Sequence, residues 1–205
     1  MIAAILLMGL SVVLVIGGSR KSPMNSSATN FPEQIQLASG EAYQISPYQV
    51  TISQPSTLTM GTISHVNMSI HPLGISPKVD LPLLTEGFQV NVESKLEITN
   101  AQITPYGLVH SVLKTDQDTH FTWDQSSALS GTLWIYLAVQ PKPSGSITEE
   151  LPLFAIPLNI QVATVLGLRA DLALVLGIFG SLFAIALLIV ALCLNFFKQK
   201  TKKAK

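Results

Sequence analysis

The sequence predicts a mainly β protein, an antiparallel β-sandwich flanked by two apolar helices. Three observations carry that expectation. Residues 172–197 (LALVLGIFGSLFAIALLIVALCLNFF) run for 26 positions without a charged side chain and are followed at once by KQKTKKAK. Residues 2–18 (IAAILLMGLSVVLVIGG) form a second apolar run, of 17 positions. Between them, short stretches rich in Val, Ile, Thr and aromatic residues are broken roughly every 8 to 12 positions by turn residues, with no amphipathic helix among them.

The carboxy-terminal run is the clearest element. At about 1.5 Å per residue it makes a helix roughly 39 Å long, more than the roughly 30 Å hydrocarbon core of a bilayer, so it spans with some tilt. Lys198, Lys200, Lys202, Lys203 and Lys205 follow it and mark the side that is not translocated. The amino-terminal run is shorter, roughly 25 Å as a helix, and has no basic residues before it. Gly17, Gly18 and Ser19 are small enough for a signal peptidase, but no A-x-A pattern precedes them. A cleaved signal and an uncleaved anchor both fit, and the expectation is the anchor. Five lysines outweigh Arg20 and Lys21, so residues 22–171 are expected outside the cytoplasm and the carboxy terminus inside.

Between the two runs the composition of residues 21–30 (KSPMNSSATN) reads as a flexible tether. Strands are then expected at 48–53 (YQVTIS) and 57–63 (TLTMGTI), separated by Pro55 and Ser56. Residues 65–71 (HVNMSIH) alternate, with Val66, Met68 and Ile70 on one face and His65, Asn67, Ser69 and His71 on the other. Further strands are expected at 79–84, at 87–92 with Phe88, Val90 and Val92 on one face, at 95–99 (KLEIT) and at 106–113 (YGLVHSVL). Residues 119–123 put Phe121 and Trp123 on one face, and 131–139 (GTLWIYLAV) are apolar on both, as in a central strand or one paired against something. In 154–162, Phe154, Ile156, Leu158, Ile160 and Val162 share a side, and Pro157 on the other phase suggests an edge strand.

Seven to nine such strands make an antiparallel sandwich of immunoglobulin-like size. Phe88, then Phe121-Thr122-Trp123, then the Gly131 strand resemble the end of bacterial membrane-proximal immunoglobulin-like modules, in which an aromatic strand, a Ser/Gly turn and a long strand follow one another. The resemblance covers about 75 residues and implies a fold more than an activity. The expected organisation is a signal peptide or transmembrane anchor (1–21), a linker and irregular segment (22–47), the extracytoplasmic sandwich (48–163), a juxtamembrane linker (164–171), the transmembrane helix (172–197) and a basic cytoplasmic tail (198–205).

Charge and motifs exclude more than they assign. Residues 22–168 carry eleven acidic side chains against four lysines, an acidic balance unsuited to nucleic acid. The one cysteine, Cys193, cannot form an intrachain disulfide; it fits a small lipid-facing residue better than an S-palmitoylation site. Along an extended strand His65 and His71 stand roughly 20 Å apart, too far to share an ion, and Met68 points the other way. Asp116-Gln117-Asp118 lacks the context of either a phosphatase or a calcium loop and reads as a polar turn, as does Pro143-Ser144-Gly145-Ser146. No nucleophile elbow or phosphate loop is present, so neither catalytic residues nor cofactors are expected. Asn25 and Asn67 fit the glycosylation acceptor pattern, which is common by chance.

One pattern invites an interface. Ala173, Gly177, Gly180, Ser181, Ala184 and Ala191 lie on one stripe of the carboxy-terminal helix, and small residues at this spacing let two membrane helices approach closely. Small residues are also frequent in any spanning helix. Self-association or docking onto a membrane complex through this face is the expectation. The functional expectation is a non-enzymatic membrane-anchored β-sandwich that binds a protein or surface partner, or a second copy. The alternative is an accessory subunit of a membrane complex assembled through the carboxy-terminal helix.

Overall fold

The computed structural model describes residues 2–19, 22–74, 81–99, 101–126, 130–142 and 149–203. In chain order the elements are α1 (Ile2–Gly18), β1 (Met24–Asn30), β2 (Gln34–Gln36), β3 (Ala42–Gln44), β4 (Tyr48–Pro55), β5 (Thr57–Thr59), β6 (Ile63–Pro72), the single turn α2 (Leu84–Gly87), β7 (Phe88–Ile98), β8 (Gln102–Thr104), β9 (Val109–Val112), β10 (Thr119–Ser126), β11 (Ser130–Pro141), β12 (Glu149–Asn159), β13 (Gln161–Ala163) and α3 (Ala170–Lys203). They form two compact units. One contains α1, the turn at 59–62 and the chain from 163 onward; the other contains 23–58 and the described residues between 63 and 162.

The second unit is built on two antiparallel sheets, in the orders β1-β4-β6-β10-β8 and β12-β11-β7-β9. Period-two alternation is what lets them share a core, because every second side chain points the same way. From the larger sheet come Val50 and Ile52, Val66, Met68 and Ile70, and Phe121 and Trp123; from the smaller come Val90, Val92 and Leu96, and Leu133, Ile135, Leu137 and Val139. All are buried in one cluster. Each large side chain so buried contributes on the order of 1.5–3 kcal/mol. Ser94 falls on the inward phase of β7 and is tolerated because its hydroxyl donates to the Trp134 carbonyl at 2.9 Å. Gly131 is required by close approach: a Cβ there would lie 2.7 Å from the Glu97 carbonyl oxygen.

Several expected elements take a different form. The tether expected over 21–30 is largely strand: β1 pairs with β4 along its whole length, Met24 opposite Pro55 and Asn30 opposite Gln49. An exposed edge strand needs only backbone partners, so its polar composition hid it. The strands expected at 87–92 and 95–99 are one continuous β7, and the two expected within 57–63 and 106–113 shrink to β5 and β9. Gly61, at φ 92°, turns the chain after β5. The helical turn at 84–87 takes up the end of one expected strand, at Leu84, and the start of the next, at Gly87; Val79 and Asp80 lie outside the described residues, as does the 143–146 turn. As expected, β11 is central and β12, with Pro157, lies at the edge of its sheet. Pro152 and Pro157 remove two backbone donors from that edge, which discourages addition of a further strand.

In the first unit, α3 extends two residues before the expected segment and continues to Lys203, so the backbone of four of the five tail lysines is helical; Lys205 lies outside the described residues. Ala170–Leu194 is long and apolar enough to cross a membrane, while α1 is a shorter apolar helix. The expected juxtamembrane linker is a tight reversal in which Val165 and Leu168 exchange backbone hydrogen bonds of 2.9 and 3.0 Å, with Leu166 and Gly167 at positive φ.

Candidate functional site

The outer face of the four-stranded sheet is arranged around β11. Its inward phase fills the core, so the other phase, Thr132, Trp134, Tyr136 and Ala138, lies on the opposite side of the sheet, where the first three are half-buried and Ala138 is buried. Trp134 and Tyr136 are half-buried and stacked, with ring centroids 6.4 Å apart and planes 15° from parallel. Trp134 lies opposite Lys95 and Tyr136 opposite Glu93 on β7. Glu97 accepts a 2.9 Å hydrogen bond from Trp134 Nε1 and one of 2.5 Å from Lys95 Nζ. Trp134 is thus fixed by a charged neighbour on the same face, with Tyr136 stacked against it, and its indole has little rotamer freedom left to lose on binding.

Glu93 is the most confined carboxylate of this face. Its side chain is only 5% exposed, and its Oε1 lies 3.0 Å from Nδ1 of His110 on β9, whose side chain is 62% exposed. The register of β12 shifts opposite Ile135 and Tyr136, leaving Leu153 without an opposite residue beside the aromatic pair. Aromatic rings flanked by both signs of charge suit a protein contact, where Trp and Tyr are the commonest anchors.

The Lys95–Glu97 pair has a definite pH dependence. The hydrogen bond from Lys95, then that from Trp134, holds the Glu97 carboxyl below its ordinary range, and Glu97 in turn holds the Lys95 ammonium above its own. A lowered acid contributes above its unfolded pKa and loses that contribution as pH falls through the folded value. A raised lysine contributes below its unfolded pKa and loses it as pH rises through the folded value. The stability gap between the wild type and Glu97→Gln should therefore be flat from about pH 6 to pH 9 and shrink in acid, as followed by thermal unfolding.

The outer face of the five-stranded sheet is polar. His65 Nδ1 lies 2.6 Å from Asp124 on the neighbouring strand and His71 Nδ1 2.5 Å from Asp118 just before β10, and Thr122 Oγ1 donates to Asn67 at 3.0 Å. All four histidines are outside the core. The carboxylate partners of three of them were not apparent from spacing, because they depend on which strands are neighbours. Asn25 and Asn67 are exposed, on β1 and β6. Among the described residues no three of His, Cys, Asp and Glu come together in a metal-holding group.

Within the small-residue stripe of α3, Gly177 and Gly180 lie against Ser11 of α1 and Ala173 clusters with Leu14. Ala173, Gly177 and Ala184 are buried, and Gly180, Ser181 and Ala191 are partly so. A Cβ on Gly177 would lie 2.9 Å from the Ser11 carbonyl oxygen, and one on Gly180 would collide with Ser11 Oγ. Cys193 is exposed on α3.

No protein-family model matches the chain, and no curated protein matches it. Among solved structures, one similar chain belongs to a complex of zinc 2-glycoprotein and prolactin-inducible protein from human seminal plasma. It is 11% identical with a TM-score of 0.35, over 71% of this chain and 98% of that one. Another, a putative ApaA protein from Bordetella pertussis, is 12% identical with a TM-score of 0.25, over 69% and 98%. Likenesses at this level carry no argument, and they identify no bacterial family. The β-rich fold stands on its own strand pairings.

Proposed function

We propose that the protein is a non-enzymatic, membrane-anchored β-sandwich of immunoglobulin type that binds a protein partner outside the cytoplasm, through the outer face of the four-stranded sheet. The observation that carries this reading is the Trp134–Tyr136 stack, held on an outward face by Glu97 and bordered by Glu93, Lys95 and His110. The immunoglobulin-like reading is supported by strand order: β4-β6-β10-β8 corresponds to A-B-E-D, and β12-β11-β7 to G-F-C with β9 added beside C. The extracytoplasmic placement rests on the lysine tail after α3.

The alternative, an accessory subunit assembled through α3, would have to use the side of that helix turned away from α1, since α1 covers the small-residue stripe. Phe179 and Phe183 lie there, both exposed. Purification of the full chain in mild detergent, with identification of co-purifying proteins, tests the proposal. A stoichiometric partner released by substitution at Trp134 and Tyr136 supports it, and a partner retained by those variants but released by changes at Phe179 and Phe183 favours the subunit role. A lone chain contradicts both.

A further inference from the structure

We infer that α1 is retained in the mature protein as a second membrane helix, that the partner of the small-residue stripe is α1 of the same chain, and that both ends of the chain therefore lie on one side of the membrane. The inference does not rest on the sheet-face reading. It comes from two seams that match. On α1 the buried residues Ala4 and Ser11 and the close-packed Gly18 recur every seven positions; on α3 Ala170, Gly177 and Ala184 do the same, and Ala191 extends the series. A seven-residue repeat keeps one face of a helix against its neighbour, and small side chains on both faces bring the backbones together.

The contacts are close along the second half of α1. A Cβ on Gly18 would lie 2.9 Å from the Ala170 carbonyl oxygen, and one on Gly177 2.7 Å from Val15 Cγ2 and 2.9 Å from the Ser11 carbonyl oxygen. Gly18 thus meets the start of α3, while Ser11 meets Gly177 and Gly180 farther along it, so the helices run antiparallel. Both hydroxyls near the seam are satisfied within their own helices: Ser11 donates to Leu7 and Ser181 to Gly177, each at 2.8 Å. Neither hydroxyl is left to seek water, as a bilayer demands.

A leader that is removed needs a hydrophobic run and a cleavage site. Nothing in that role requires small residues every seven positions to fit a helix more than 150 residues away along the chain. An antiparallel pair in which α3 crosses the membrane leaves the start of α1 on the side of the lysine tail. It also removes the stripe from the surfaces on which another membrane protein could dock.

Three readouts on the full chain, expressed in a bacterial membrane, test this. First, the intact mass of the purified wild type should include residues 1–21; a mass lacking them overturns the inference. Second, Ser11→Cys with Gly180→Cys, in a Cys193→Ala background, should form an intrachain disulfide on oxidation. The Ser11 Cβ lies 3.5 Å from the position a Cβ at 180 would take, within the range a disulfide spans. Cross-linked dimers only, or no cross-link in a full-length chain, overturn the pairing. Third, a reporter that is fluorescent only in the cytoplasm should light from either terminus; fluorescence from the carboxy terminus alone overturns the topology.

Discussion

Replacing Trp123 with alanine is expected to cost about 3–5 kcal/mol and to leave much of the protein unfolded at physiological temperature. Trp123 is fully buried on β10, stacked on Phe121 with ring centroids 5.9 Å apart and planes 7° from parallel, and belongs to the cluster filled by both sheets. Removing the indole empties the middle of that cluster, and flanking side chains held by backbone ladders on both sides relax little into the space. Trp123→Phe is the informative companion. It keeps a ring against Phe121 and removes an indole N–H that is buried without a hydrogen-bond partner, so its cost should be well under half that of alanine. Urea titration of the full chain in detergent, followed by fluorescence of the remaining Trp134, measures both.

The second large effect is on binding. Trp134→Ala with Tyr136→Ala should weaken capture of the co-purifying partner by about 30-fold or more, the loss of a central aromatic hot spot worth about 2 kcal/mol. The two rings are half-buried on the outward phase of β11, whereas Leu133, Ile135 and Leu137 on the inward phase are completely buried. The double variant should thus keep an unfolding midpoint close to that of the wild type, which Trp123→Ala does not, and the contrast separates a lost contact from a lost fold. Thr122→Ala on the outer face of the other sheet serves as the control, with capture unchanged.

Much of the sheet architecture was legible because period-two alternation reports burial directly. Val66, Met68 and Ile70, and Phe121 with Trp123, are named by their spacing and all lie in the core. Where alternation is absent, the sequence is silent: Met24–Asn30 is polar but for Met24 and Ala28, and its strand character comes from the β4 backbone alone. The apolar character of β11 on both faces pointed to a central strand, but the same feature concealed which of its aromatic residues lie outside the core. Once the inward phase is assigned to Leu133, Ile135, Leu137 and Val139, the aromatic residues at 134 and 136 are left outside, and that assignment needs a partner sheet. The charged neighbours Glu93, Lys95, Glu97 and His110 come from two other strands, and no spacing along the chain relates them to Trp134.

The helices divide in the same way. Length and composition identify α3 as able to span, and its small-residue stripe is visible at helical spacing. What covers the stripe depends on Ala4, Ser11 and Gly18, which on their own are ordinary residues of a hydrophobic run. Only the proximity of the two helices gives them meaning.

The most direct test of the central claim is site-specific photo-cross-linking in intact membranes, with a photoreactive side chain at position 136 on one outer face and at position 122 on the other. The account predicts a discrete protein adduct from position 136 and none from position 122. No adduct from position 136, or one from position 122 alone, would contradict it.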